Sequence, residues 1–145
     1  MPRRILIVLV TGALLLCASA AFAKKKATNP IDADYAKGVQ YVNERHWNDG
    51  IATLTKVIDN PATAKELLPL ALTNRGTAYA NKKMTNEALA DLSKAIELKP
   101  DYTAAYYDRA RILAMQNKHE DAVADLTKAI EHSKAGTPQA VYYKN

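Results

Sequence analysis

The sequence predicts an all-α chain, an alpha-alpha superhelix of three stacked helical hairpins followed by a short C-terminal capping helix. Three observations carry this. The stretch Ala88 to Glu97 recurs 34 residues later as Ala122 to Glu131, with eight of ten residues identical. The register extends upstream, where Leu72, Arg75, Gly76 and Tyr79 map to Tyr106, Arg109, Ala110 and Leu113. Within each copy, apolar and small residues fall three and four apart in two separate runs, the pattern of two amphipathic helices. A period of this length holding two helices per copy identifies an array of helical hairpins, in which each unit buries its apolar face on its neighbours.

Residues 1–23 have the three parts of a secretory signal peptide. Arg3 and Arg4 are basic, Ile5 to Cys17 is an apolar run of 13 residues, and Ala21-Phe22-Ala23 is a small-x-small site. The run is short for a membrane span, which needs about 20 residues. Cleavage is expected after Ala23, with Ala20 as a second point and an anchor extended through Ala18 to Ala23 as the alternative. A lipoprotein reading of Cys17 is disfavoured because the bulky Leu16 precedes it. Export predicts a periplasmic or secreted protein, touching membrane only through the signal segment. Residues 24–30, opening with Lys24-Lys25-Lys26, read as a disordered basic leader.

The repeats are expected over residues 31–136, as units of about 31–64, 69–102 and 103–136. The first unit overlays Tyr35, Gly38, Tyr41, Trp47, Gly50, Leu54 and Val57 on the second with an offset of 38, so four extra residues fall between Asp59 and Leu68. Its first helix, about Ala33 to Glu44, is the weakest, with Asp34 and Lys37 where other copies have Leu72 and Arg75; an end unit with a polar face suits a stacked array. The second unit places helices at Leu70 to Lys82 and Asn86 to Leu98. Gly76 and Ala88 let the two axes approach, while Leu72, Tyr79 and Leu92 fill the seam. Pro100 lacks an amide hydrogen and disfavours helix at Lys99, ending the unit. The third unit predicts helices at Thr103 to Gln116 and Glu120 to His132, with Asn117 as N-cap and Glu120 as its capping-box partner. In residues 137–145, Pro138 suits a helix start and Val141-Tyr142-Tyr143 echoes Ala105-Tyr106-Tyr107, the reading behind the short capping helix or frayed tail.

In Leu72, Gly76, Tyr79, Ala88, Leu92, Ala95 and Pro100 the second unit resembles the tetratricopeptide repeat family. The third keeps Tyr106, Ala110, Ala122, Leu126 and Ala129 but has Lys134 where the closing proline would fall. The resemblance implies a curved stack whose concave side is lined by the first helices and takes an extended peptide or partner helix. Carried onto this chain, it puts Tyr35, Val39, Val42 and Asn43 in that groove, then Thr73, Thr77, Ala80 and Asn81, then Tyr107, Arg111, Ala114 and Met115. One variant of the family clamps the C-terminal carboxylate of chaperones with Lys, Asn and Arg. Only Asn74 corresponds here; Val39, Leu70, Ala104 and Asp108 stand at the other clamp positions, which argues against a cytosolic chaperone adaptor.

Arg75 and Asp91 are 16 apart, as are Arg109 and Asp125, and each pair spans one hairpin. A guanidinium facing a carboxylate across the seam satisfies both charges. Lys37 and Thr53 stand there in the first unit, so no such clip is expected. Trp47, beside the hairpin turn, reads as core.

The composition points away from chemistry. The chain carries a net charge of +5, falling to +3 once the signal's two arginines leave, too little and too dispersed for nucleic acid. Cys17 is the only cysteine, so the exported part has no disulfide, thiol nucleophile or thiolate ligand. His46, His119 and His132 do not share a helical metal spacing, and there is no Gly-rich phosphate loop or Gly-x-Ser-x-Gly. The expectation is a non-enzymatic scaffold or adaptor that binds a protein or peptide in its concave groove, in cell-envelope assembly, without cofactor, metal, small-molecule substrate or nucleic acid. The alternative is a structural homo-oligomer stacking through its repeat ends.

Overall fold

The computed structural model describes residues 29–133. The signal segment and the capping helix expected at 137–145 lie outside the described residues, as does most of the basic leader. The leader's last residue is corrected, because Pro30 is already helical.

Six helices follow in chain order: α1 Pro30–Asn43, α2 Trp47–Asp59, α3 Leu68–Asn81, α4 Thr85–Leu98, α5 Thr103–Met115 and α6 His119–His132. They pair as three hairpins, α1 with α2, α3 with α4 and α5 with α6, each hairpin then packing on the next. α1 begins three residues before Ala33 for a local reason. The Asn29 side chain accepts a 3.1 Å bond from the Ile31 amide, Pro30 occupies the first turn where no amide hydrogen is needed, and Asp32 faces the positive end of the helix. The connection between the first two hairpins spans 60–67 and that between the second and third 99–102, a difference of four that accounts for the changed offset. The longer one is anchored by Thr63, whose buried hydroxyl donates to the Val57 carbonyl.

All three hairpin turns share one geometry. Arg45, Lys83 and Asn117 adopt left-handed backbone, with φ of 63°, 62° and 61°. In each turn the amide of that residue bonds back three residues, and the next amide bonds back five: His46 to Tyr41, Met84 to Tyr79 and Lys118 to Leu113. This closure satisfies the carbonyls orphaned at the end of the first helix. It corrects the expectation for Asn117, which is the left-handed residue of the turn rather than the cap of α6. Lys118 holds the cap position without a side-chain bond, and α6 starts at His119.

Small residues set the spacing within hairpins. A Cβ on Gly38 would stand 2.8 Å from Leu54 Cγ, and one on Gly50 would stand 2.8 Å from Val42 Cγ2. A Cβ on Gly76 would meet Leu92 at 3.1 Å and the Ala88 carbonyl at 3.3 Å. Leu54 and Leu92 fill the room left and are fully buried, each contributing about 1.5–3 kcal/mol. Around them, Val42, Val57, Ala71 and Ala78 form one core cluster, with Trp47 packed on it, and Leu72, Ala88, Ala95, Ala105 and Ile112 the next.

The first helices of adjacent hairpins also touch, α1 on α3 and α3 on α5, whereas the second helices share no comparable contact. The stack therefore bends toward α1, α3 and α5, which line its concave side.

Candidate functional site

Two arginine clips hold the concave side in register. Arg75 Nε and Nη2 donate to the two Asp91 oxygens at 2.7 and 2.8 Å, and Arg109 meets Asp125 in the same way at 2.7 Å for both bonds. The paired bonds keep each guanidinium more firmly protonated than usual, outweighing the opposing effect of burial. Each arginine has a further donor engaged: Arg75 Nη1 reaches Thr55 Oγ1 at 2.9 Å and Arg109 Nη1 reaches Ser93 Oγ at 3.1 Å. Thr55 and Ser93 sit on the second helix of the preceding hairpin. One side chain thus ties three helices across the repeat junction. Lys37, at the equivalent place in α1, instead lies over the Tyr41 ring at 5.7 Å.

On the concave face, polar contacts run from one first helix to the next. The Asn74 amide on α3 donates to the Tyr35 hydroxyl on α1 at 3.2 Å and to the Leu70 carbonyl at 2.8 Å. Thr77 Oγ1 lies 3.0 Å from the Thr73 carbonyl and 3.0 Å from Asp108 Oδ2 on α5. Burial pushes the Tyr35 phenol up, with the bond from Asn74 opposing it. Tyr102, at the start of α5, is raised by burial and then by the negative charge of Tyr35 and Asp108. Asp108 is raised by burial, against the pull of Thr77 and Arg111.

The groove residues expected from sequence divide into three groups. Asn43, Asn81, Arg111 and Met115 are exposed, Met115 at 76%, and Asn81 donates to the Thr77 carbonyl at 2.8 Å. Tyr35, Val39, Thr77 and Tyr107 are half-buried along the same first helices. Thr73 and Val42 are corrections. Thr73 is 5% exposed with its hydroxyl turned onto the Pro69 carbonyl, and Val42 fills the space beside Gly50 at 6% exposure. Both lie on helix flanks that the neighbouring helix covers. Arg111 and Met115 border a cleft of about 260 Å³ between the end of α3, the start of α4 and α5, with Ala80, Lys83 and Ile112 among its other walls.

Tyr102 was not among the residues expected on this face. It precedes α5 in a connection, and only the fold brings it near Tyr35 and Asp108. Among the described residues no group of three His, Cys, Asp or Glu side chains is placed to hold a metal.

Tetratricopeptide repeat family profiles match residues 69–102 and 92–124. With the hairpin geometry above, the chain is a tetratricopeptide repeat protein. Among curated relatives it is 29% identical over 89 residues to serine/threonine-protein phosphatase T of Trypanosoma brucei brucei, covering 61% of this chain and 18% of that one. It is 25% identical over 104 residues to a DnaJ homolog subfamily C member 7 homolog of Dictyostelium discoideum, covering 72% and 19%. The chain spans under a fifth of either relative. Among solved structures, the first repeat domain of Spaghetti (RPAP3), bound to an HSP90 peptide, superposes with a TM-score of 0.66 at 26% identity, covering 77% of this chain and 85% of that one. The Sgt2 repeat domain of Aspergillus fumigatus gives 0.68 at 19% identity, covering 80% and 75%, a likeness of fold.

Proposed function

We propose that this protein is a non-catalytic, exported scaffold or adaptor that holds a protein or peptide segment along the concave face of α1, α3 and α5, in cell-envelope assembly. The observation carrying the reading is the row of first helices with Asn43, Asn81, Arg111 and Met115 exposed on it. Asn side chains bond a peptide backbone as donor and acceptor, and Arg111 and Met115 offer charge and apolar surface at one cleft. A structural relative is bound to a peptide of HSP90, which supports a peptide as occupant. The occupant differs in chemistry from a clamped C-terminal carboxylate, because Val39, Leu70, Ala104 and Asp108 replace the clamp's polar and cationic groups, and Asn74 is engaged with Tyr35.

Export rests on the basic, apolar and small-x-small order of residues 1–23. Mass spectrometry of the protein from an envelope fraction should find Lys24 as its first residue; retention of Met1 in a cytosolic fraction would refute export.

Arg111→Glu tests the groove. Its side chain is 40% exposed, so the reversal leaves the core intact. Affinity purification from the envelope fraction should lose the partner with the variant while helicity and melting temperature stay near the wild type; unchanged capture would remove Arg111 from the binding surface. The alternative of homo-oligomers has one observation in its favour, the 62% exposure of Val123 on the terminal helix α6. Sedimentation across concentrations separates the two, since only self-stacking raises mass without a partner.

A further inference from the structure

Three carboxylates sit low in the described residues, and the fold treats one differently. Asp91 and Asp125, with side chains 10% and 9% exposed, each receive a two-pronged guanidinium. Asp108, 20% exposed on the concave side of α5, does not. Its contacts are the Thr77 hydroxyl and Arg111 Nε, which stands 3.9 Å from Oδ1, beyond hydrogen bonding. The Thr77 bond is divided. That hydroxyl has one hydrogen and two acceptors at 3.0 Å, Asp108 and the Thr73 carbonyl, and serves only one at a time.

The surroundings of Asp108 are rich in oxygen. Tyr35 and Tyr102 lie close enough for their charge to couple, and Asn74 and Thr77 complete the floor. A half-buried carboxylate held by a shared hydroxyl is short of positive charge, which a buried ion obtains from a partner. The charge distribution agrees. All fifteen Asp and Glu lie within residues 29–133, whereas seven of the twenty Lys and Arg lie outside them, so the described residues carry a net −2 although the chain as a whole is basic. The folded array is therefore electrostatically suited to a cationic segment.

We propose that Asp108 is the receptor for a Lys or Arg side chain of the peptide that occupies the concave face, with Thr77 and the phenols of Tyr35 and Tyr102 forming its oxygen-lined seat. This rests on the groove reading above and adds the chemistry of the occupant. An incoming ammonium or guanidinium donates to Asp108 Oδ1, the oxygen that Arg111 approaches without bonding, and frees the Thr77 hydroxyl to serve either acceptor. The segment is thus a basic one, opposite in charge to an acidic C-terminal tail.

The test is an array of ten-residue peptides in a mixed background, each with one position fixed as Lys, Arg, Gln, Leu or Glu, probed with the full chain and with Asp108→Asn. Asn already stands at the equivalent position 74 of the second repeat, so the variant is built to fold, and its melting temperature checks this. The wild type should retain Lys- and Arg-fixed peptides about tenfold over Glu-fixed ones, the scale of a charge-assisted hydrogen bond. Asp108→Asn should lose that preference while holding Leu-fixed peptides as before. Equal retention of Lys- and Glu-fixed peptides, or a preference that survives the variant, overturns the assignment and leaves the groove standing. A preference for Glu gives the site to Arg111 and overturns it too. If the wild type retains no peptide at all, the groove reading falls with it.

Discussion

Arg75 and Arg109 are the side chains whose loss should be felt most widely, because each satisfies a buried carboxylate in its own hairpin and a hydroxyl in the one before. Arg75→Ala strands Asp91, whose side chain is 10% exposed, and should cost about 3 kcal/mol in urea unfolding, the lower end for a broken buried pair. Replacing both partners, Arg75→Met with Asp91→Leu, should recover most of that loss; a double variant as unstable as the single one would show that the clip matters for more than its charge. Asp108 acts in the opposite sense. Its folded pKa is raised above the ordinary 3.8, so the native state binds its proton more tightly than the unfolded chain, and stability falls as pH rises from 3.8 through the folded value. Asp108→Asn lacks this loss. Its melting temperature should match the wild type below pH 3.8 and exceed it at neutral pH, and a gap already present at the acid end would contradict burial as the cause. The 16-residue spacing made the clips legible in sequence. The third donor bond to Thr55 or Ser93 was not, because it crosses to another repeat.

Among the elements, the hairpin turns carry an avoidable strain. Left-handed backbone costs a residue with a Cβ about 1–2 kcal/mol, partly offset because glycine gives up more chain entropy. Lys83→Gly should therefore stabilise the protein by about 0.5–1 kcal/mol, read from the urea midpoint. Asn117→Gly should gain less, since Asn tolerates this conformation better than Lys. The helix seams respond in the other direction. Gly38→Ala places a methyl 2.8 Å from Leu54 and should cost about 1 kcal/mol net, overpacking outweighing the helix preference of alanine. Gly76→Ala meets its nearest neighbour at 3.1 Å, and alanine already stands at the matching position 110 of the third unit, so its effect should be smaller. Equal losses at the two glycines would show that the seams are not spaced by these contacts. Helix positions were legible to within a few residues from apolar spacing. The turn at Asn117 was misread because Asn suits an N-cap and a left-handed turn alike, and only the backbone path chooses.

In the molecule as a whole, every substantial helix contact lies within a hairpin or between adjacent ones. Stability is then close to a sum over units and their junctions rather than the property of one shared core. Arg109→Ala should accordingly open the third hairpin first: amide exchange should rise in α5 and α6 while α1 and α2 keep their protection. Uniform loss across all six helices would mean that the array behaves as a single cooperative block.

The sequence by itself determined the repeat, the helix pairs, the small residues at each seam and the charge pairs within hairpins, because these follow from short spacings that a helix converts directly into faces. Only the tertiary structure decided which residues share the concave face. It buried Thr73 and Val42, brought Tyr102 beside Tyr35, and left Asp108 with a divided hydroxyl instead of a guanidinium. These outcomes depend on how one hairpin lies against the next. That angle is set by the packing of whole helix surfaces, and no local spacing along the chain encodes it.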